Sequence, residues 1–348
     1  MHRYTLNLMK PLLLVVALFS LFSCSNDDEI DNLSETFFVR HENADMPAYV
    51  HGNATEKIFL IVLNGGPGGF GLTYRTKTFI ETIEEKYAVV YFDQRGSGVS
   101  QGKYLEKEVT VDLMAEDVLA LAKVIKEKYG DDSKLVLMGH SWGGTLGTAI
   151  LLKDQDEFMG WINVDGAHDP KGMYLEYITN HVKIANEQIA LGNSLDYWET
   201  VLQLTDSVSP SYDQDNFFDL NREAFTAEEQ LVEDDFINEE NWEDEIGVNY
   251  NVFMALWNSG QILKILTNNG LWEDISYTDR LSEITIPSLI ITGKHDLIVP
   301  SKFAEEALAN IGSEDKELLV FERSGHSPMA SEKELFAEKI LEFIDRIK

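Results

Sequence analysis

Leu135-Val-Leu-Met-Gly-His-Ser-Trp-Gly-Gly-Thr-Leu146 is the stretch from which the rest of the chain can be read. Leu135 to Met138 is a short apolar run of the kind that forms a fully buried strand. Gly139-His140-Ser141-Trp142-Gly143 follows at once, and small and apolar residues from Thr145 to Leu152 suit a helix. A G-x-S-x-G pentapeptide between strand and helix is the pattern of a nucleophile elbow. The turn holds Ser141 in a strained conformation with its Oγ exposed above a sheet, and Gly139 and Gly143 stand where a Cβ would meet a neighbouring element.

A serine nucleophile needs a base, an acid to orient that base, and donors for the oxyanion. In an elbow fold these follow in the order Ser, acid, His. Ser288-Leu-Ile-Ile-Thr-Gly-Lys-His-Asp296 reads as a strand with an acid just past its end. Glu317-Leu-Leu-Val-Phe321 reads as another, followed by Ser324-Gly-His326. The expected triad is therefore Ser141, Asp296 and His326, each just beyond a strand, where ligands gather in parallel sheets. Asp165 and His168 follow the strand Trp161–Val164 and are the rival acid and base; only the later pair completes the chain order with a strand before each. The expected oxyanion donors are the backbone N–H of Trp142 and one from the loop Asn64-Gly-Gly-Pro-Gly68, for which Gly66 is the candidate.

Asn64-Gly-Gly-Pro-Gly68, Asp93-Gln-Arg-Gly-Ser-Gly-Val-Ser100, Gly139-His-Ser-Trp-Gly-Gly-Thr-Leu146, Gly293-Lys-His-Asp296 and Ser324-Gly-His326 together resemble the prolyl iminopeptidase branch of the α/β-hydrolase superfamily. The resemblance implies an α/β-hydrolase fold, in which a mostly parallel central sheet is flanked by helices. It also implies a serine hydrolase working through an acyl-enzyme, with an aminopeptidase that releases N-terminal residues from short peptides as the favoured activity. The triad itself does not separate amide from ester, so a carboxylic ester hydrolase is the alternative. A binding lipoprotein that kept the fold without the chemistry is a third reading. Asn64 departs from the family pattern, which has His there. Arg95 invites a reading as a substrate clamp, but a Gly-rich turn needs its backbone groups satisfied, and Arg95 and Asp93 holding that turn is the simpler expectation.

The chain of 348 residues divides on this reading into four parts. Residues 1–23 form a signal peptide, with His2, Arg3 and Lys10 ahead of an apolar run from Leu12 to Phe22 that is too short to span a bilayer. Cys24, the single cysteine, stands directly after Leu21-Phe-Ser23 and resembles the lipidation site of a bacterial lipoprotein. The expected location is the cell envelope, periplasmic or surface-exposed, with membrane contact only through that lipid. Residues 24–34 are an acidic, flexible tether. Residues 35–169 and 284–348 make the α/β core, opened by a hairpin from Thr36–His41 and Pro47–His51. Within it the apolar spacing predicts a helix over Val111–Tyr129, and a capping box at Ser331-x-x-Glu334 predicts the start of the terminal helix.

Residues 170–283 break the alternation of strand and helix and read as a helical cap inserted between strands six and seven. Helices are expected over Tyr174–Leu191, over Thr226–Asn238 (opened by a Thr226-x-x-Glu229 capping box) and over Asn249–Leu266. The cap holds 23 Asp and Glu against five Lys and Arg, within a chain of formal net charge −32. Such a surface leaves no basic footprint for nucleic acid. Most of these acids serve solubility. The resemblance implies that one or two bind the free α-amino group of a peptide, and Glu233, Glu239 and Glu240 are the candidates. No Cys or His cluster has metal-ligand spacing and no Gly-rich turn has dinucleotide spacing, so neither metal nor cofactor is implied.

Overall fold

The computed structural model describes residues 30–242 and 251–348. The signal segment 1–23, Cys24 and residues 25–29 of the tether lie outside the described residues; the expected tether 24–34 is too long, since Leu33 and Ser34 already pair in the first strand. Two long strands open the chain, β1 (Leu33–His41) and β2 (Ala44–Gly52), paired as an antiparallel hairpin with Leu33 opposite Gly52. The hairpin is longer at both ends than its alternating pattern predicts. Next come β3 (Ile58–Leu63) and β4 (Ala88–Phe92), then helix α1 (Val111–Tyr129). The boundaries of α1 match those predicted. Thr110 caps it, its side chain accepting from the Leu113 N–H at 3.1 Å, and Lys126, Lys128 and Gly130 close it.

Strand β5 (Lys134–His140) runs into helix α2 (Trp142–Lys153), and β6 (Gly160–Val164) follows. The cap then supplies α3 (Met173–Leu191), α4 (Leu195–Ser207), α5 (Gln214–Glu233) and α6 (Val252–Asn268). The core resumes with β7 (Ser288–Gly293), α7 (Lys302–Asn310), β8 (Lys316–Phe321) and α8 (Lys333–Ile347). The strand order is β1-β2-β4-β3-β5-β6-β7-β8, with the two-residue strand Gln101–Gly102 paired to β2. From β4 to β8 every neighbouring pair is parallel; the pairings of β2 with β1 and β4 are antiparallel.

The order matters because the chain leaves β3 for β4 on one side and returns to β5 on the other. The crevice beyond the carboxyl ends of β3 and β5 is thus a topological switch point, the favoured ligand site of an open α/β sheet. The loop after β3 and the elbow after β5 both open onto it. All six residues of β3 are buried, alternating between two cores. Phe59, Ile61 and Leu63 face the side covered by α1 and α2, while Ile58, Leu60 and Val62 face α8. On α8, Phe336, Ile340, Phe343 and Ile344 recur at helical spacing, each contributing about 1.5–3 kcal/mol by burial.

The cap differs from expectation in detail. Helix α5 begins at Gln214, twelve residues before the predicted start, where Asp213 accepts from the Asn216 N–H at 3.0 Å. Thr226 therefore lies mid-helix, its hydroxyl bonded back to the Arg222 carbonyl. The apolar row Phe217, Leu220, Ala224, Ala227, Leu231 explains the longer helix, since it buries against the rest of the cap. The Ser331 box also fails. Glu332 occupies the N-cap of α8, while the Ser331 hydroxyl bonds the Ser327 carbonyl and the Ser324 hydroxyl. Of the stretch predicted over 249–266, residues 249 and 250 lie outside the described residues. The remainder forms α6, with Ile262 and Leu266 buried but Phe253 90% and Trp257 70% exposed. Among the described residues, no helix is long and apolar enough to cross a membrane.

Candidate active site

Ser141 sits at φ 57°, ψ −121°, between the last residue of β5 and the first of α2. Such a conformation is costly for a non-glycine residue and persists where the surroundings fix it. The fixing is steric. A Cβ at Gly139 would collide with the Gly143 carbonyl, and one at Gly143 with the Leu63 carbonyl at the end of β3. Those two glycines let the helix start directly against two strands.

His326 and Asp296 meet across two loops. His326 Nδ1–H donates to Asp296 Oδ2 at 2.9 Å, which leaves Nε2 as the free base. Asp296 Oδ1 accepts from the Ile298 and Val299 N–H groups at 2.8 and 2.7 Å. Burial pushes the His326 imidazole down to about 4, so the ring is neutral and able to take a proton. The rival pair separates. Asp165 is buried against Asp296, its Oδ1 accepting from the Gly293 N–H at 2.9 Å. His168 is buried elsewhere, edge-on to Phe303 and 3.5 Å from Glu306.

Ser141, Trp142, Gly66 and His326 line one cavity of about 370 Å³. Trp142 opens α2, so its N–H has no acceptor within the helix. In the loop after β3, the Gly65 N–H is already taken by the Tyr74 hydroxyl at 2.9 Å. The Gly66 N–H has no acceptor among the described residues, which makes it the available donor. Asn64 stiffens this loop: its Nδ2 donates to the Gly65 carbonyl at 3.0 Å, and Gln94 Nε2 reaches its Oδ1 and its carbonyl, both at 3.2 Å. The other end of Gln94 accepts from Trp142 Nε1 at 2.8 Å. The loop after β3 and the elbow are thus tied through one glutamine. From the cap side, a Cβ at Gly68 would meet the Ser259 backbone of α6 at 2.8 Å.

A second relay joins the same loop to the base. The Tyr74 hydroxyl donates to His140 Nδ1 at 2.6 Å, and His140 Nε2 donates to the His326 carbonyl at 2.8 Å. The His140 ring lies 4.7 Å from that of His326, and burial lowers its pKa to about 3. Tyr74 and Glu228 carry no local sequence signal, and Gln94 and His140 stand in the sequence only as members of the Asp93–Ser100 and Gly139–Gly143 motifs. Glu228 is a buried acid of α5, whose Oε1 accepts from the Leu297 N–H at 2.7 Å and Oε2 from the His326 N–H at 2.9 Å.

The remaining walls of the cavity are apolar and largely from the cap, including Phe217, Phe218, Phe225 and Trp272. Phe225 also borders a second cavity of about 310 Å³, lined by Glu228, Glu229, Glu239 and Glu240. Of the three cap acids expected to face substrate, Glu239 and Glu240 therefore lie beside the site. Glu240 accepts from Trp242 Nε1 at 2.8 Å, and its charge reaches His326 and raises the pKa there. Glu233 ends α5 exposed and lines neither cavity. Arg95 also lies off the site. It pairs with both oxygens of Asp117 on α1, at 2.8 and 2.7 Å, and donates to the His41 and Glu42 carbonyls, both at 3.0 Å. Of the two residues expected to hold the Asp93–Ser100 turn, Asp93 does so, accepting from the Val99 N–H at 2.9 Å, whereas the Arg95 guanidinium serves the β1–β2 turn and α1 instead.

A parallel sheet with an elbow at its switch point and a helical cap above defines the class. Residues 58–332 match the alpha/beta hydrolase fold family, and the chain belongs to it. Among relatives, it is 29% identical to a proline iminopeptidase of Saccharolobus solfataricus over 299 residues, covering 83% of this chain and 85% of the relative. It is 24% identical to a probable aminopeptidase of Bacillus subtilis over 301 residues, covering 84% and 90%. Among solved structures, a thermophilic esterase from Thermogutta terrifontis superposes with a TM-score of 0.57 at 19% identity, covering 90% of this chain and 99% of that one. The family points to a hydrolase.

Proposed function

We propose that the chain is a serine hydrolase of the prolyl iminopeptidase type, acting on short peptides or amino-acid amides with a free N-terminus. The observation that carries this reading is that Ser141, on its strained elbow, opens into the same cavity as His326, whose Nδ1 lies 2.9 Å from Asp296. Ser141 Oγ attacks the carbonyl carbon as His326 Nε2 takes its proton. Asp296 holds the tautomer and stabilises the imidazolium. The N–H groups of Trp142 and Gly66 receive the oxyanion, worth roughly 3–4 kcal/mol per donor. His326 then returns the proton to the leaving amine, and water hydrolyses the acyl-enzyme.

The amide reading draws support from the relatives named as proline iminopeptidase and from the acid-lined cavity beside Phe225. Ester hydrolysis is the second reading, favoured by the apolar lining of the main cavity and the esterase neighbour. The chain further acts, on this reading, at the cell envelope, held by lipid on Cys24.

Covalent labelling of Ser141 by a fluorophosphonate separates either hydrolase from a binding lipoprotein, which would not label. Comparing a free-amine substrate with its N-acetylated analogue then separates amide from ester. If Glu239 or Glu240 pairs with a substrate ammonium, the free amine is favoured by roughly tenfold or more, since a desolvated carboxylate loses its partner otherwise. That preference weakens as pH rises through about 8, the ordinary α-amino value. Equal rates on both substrates would leave the esterase reading.

A further inference from the structure

Asp165 stands outside the triad, yet its placement is not that of a spare acid. It follows β6 directly, at φ 44°, a left-handed conformation uncommon for a non-glycine residue. Its N–H donates to the Ile291 carbonyl at 2.9 Å and its Oδ1 accepts from the Gly293 N–H at 2.9 Å, so both ends are pinned to β7. The other oxygen, Oδ2, is buried and meets no N–H or O–H donor in hydrogen-bonding geometry. The Thr292 hydroxyl is close, but it donates to the Gly293 carbonyl at 3.2 Å. Gly293 brings Asp165 and Asp296 together: its N–H binds Asp165 Oδ1, its carbonyl accepts from the Asp296 N–H at 3.3 Å, and the two buried carboxyls act directly on each other.

Two ionised carboxylates have only acceptors to offer each other. A hydrogen bond between them requires one proton, held by one member of the pair. The donors already present decide which. Asp296 receives three, from Ile298, Val299 and His326, whereas Asp165 receives one firm bond from Gly293. Donors stabilise the anion, so the charge belongs on Asp296 and the proton on Asp165. The titratable groups packed around the pair are His326, Glu228 on α5, Glu240 beyond it, and Tyr177 on α3. None carries a positive charge at neutral pH that would compensate a second anion.

We propose that Asp165 is a positioning residue: a neutral carboxylic acid that donates its proton's hydrogen bond to Asp296 and fixes the carboxylate that orients His326. The acid arm of the site is then a carboxyl–carboxylate pair sharing one proton. Desolvation raises both groups, but not equally: Asp165 is pushed well above the ordinary carboxylate range, while at Asp296 the Val299 and Ile298 N–H groups and Asp165 itself oppose the rise.

The inference rests on the serine-hydrolase reading only for its kinetic consequence, and the test uses two readouts for that reason. The first is the rate at which a fluorophosphonate labels Ser141, which needs no knowledge of the substrate. Asp165→Asn keeps a donor in place without a titrating group and should label within about threefold of wild type. Asp165→Ala removes the donor and should slow the labelling rate constant by roughly 10- to 100-fold, the range for a hydrogen bond to a charged group, with inhibitor affinity unchanged. The second readout is the infrared difference spectrum at neutral pH. Wild type should show the carbonyl stretch of a protonated carboxylic acid that Asp165→Asn lacks, a comparison that stands if Asp165→Ala fails to fold. Labelling of Asp165→Asn as slow as Asp165→Ala, or an unchanged carbonyl band, overturns the inference. If wild type does not label at all, the hydrolase reading fails while the infrared band still decides the state of Asp165.

Discussion

Tyr74→Phe is the substitution that most directly tests whether the loop after β3 and the base are held by one hydrogen-bond relay. The proton on every member is fixed by its partners. His140 Nε2 faces the His326 carbonyl, an acceptor only, so the proton is on Nε2 and Nδ1 is a bare lone pair. Tyr74 must then donate to Nδ1, which leaves its own lone pair for the Gly65 N–H. Removing the hydroxyl strands two buried groups at once, the Gly65 N–H and His140 Nδ1. Each costs about 1–3 kcal/mol when left unsatisfied, so the folded state should lose about 2–6 kcal/mol, with loop relaxation favouring the lower end. His140 does not compensate by taking a proton, because burial holds it near 3 and it stays neutral throughout the working range.

The kinetic consequence follows from the next residue. Gly66 N–H, one peptide beyond the freed Gly65, is the proposed oxyanion donor, and losing such a donor costs roughly 10²–10³ in kcat. Tyr74→Phe should approach that range without reaching it, since Asn64 and Gln94 still tie the loop to Trp142. KM should hardly change, because Tyr74 does not line the cavity. Urea denaturation measures the first effect and steady-state kinetics, or fluorophosphonate labelling, the second. Wild-type kcat in a destabilised variant would refute the reasoning, for it would make the relay packing alone.

Ser141→Ala should abolish turnover, on the order of 10⁶-fold, with circular dichroism unchanged, and His326→Ala should match it because triad members act as a unit. The acid limb of kcat/KM should fall below the usual histidine value of 6.5, since burial puts His326 at about 4 and activity is lost only as pH falls through the base's own pKa; a midpoint at or above 6.5 contradicts it. Cys24→Ala should leave the protein uncleaved or released in soluble form, and a mature N-terminus other than an acylated Cys24 by mass spectrometry ends the anchoring proposal.

What the sequence makes legible here is what chemistry compresses into short runs. The elbow, the loop at Asn64-Gly-Gly-Pro-Gly68, and Asp296 and His326 each stand within a few residues of a strand end, so local pattern and chain order suffice. The residues that hold them in place act across the chain instead. Tyr74 reaches His140, Gln94 reaches Trp142, and Glu228 reaches His326, separations that no local pattern records. Glu228 was further hidden in a cap of 23 acids, where charge alone gives no reason to prefer one. The capping boxes misled for a related reason: Thr226-x-x-Glu229 fits a helix start locally, but the apolar row beginning at Phe217 governs where burial is gained.

The cap is fastened to the chemistry at two separate points, and their difference bears on how substrate choice can change. On the triad side, Glu228 of α5 receives N–H groups from both the acid loop and the base loop, and a Cβ at Gly325 would collide with its carboxylate. Burial pushes the Glu228 carboxyl well above its ordinary value, so these count as bonds to a neutral acid, about 0.5–1.5 kcal/mol each, and lifting α5 away would also leave two buried N–H groups unsatisfied and disturb both loops together. On the oxyanion side, α6 packs its Ser259 backbone against Gly68, and Asn258 Nδ2 donates to the Gly98 and Ser100 carbonyls at 3.0 and 3.1 Å. Between these anchors the cavity wall is built from Phe217, Phe218 and Trp272, none of which touches a triad residue by hydrogen bond. Phe218 is the least buried of the first two, and it packs edge-on to both Phe217 and Trp272. Substitutions at Phe218 can therefore reshape the pocket while both anchors stay engaged, whereas substitutions at Glu228 disturb the two loops that carry Asp296 and His326. If the proposed triad is the catalytic one, a cap held in this way would let the pocket wall change without moving Ser141, Asp296 or His326, which is how one fold can host different substrates.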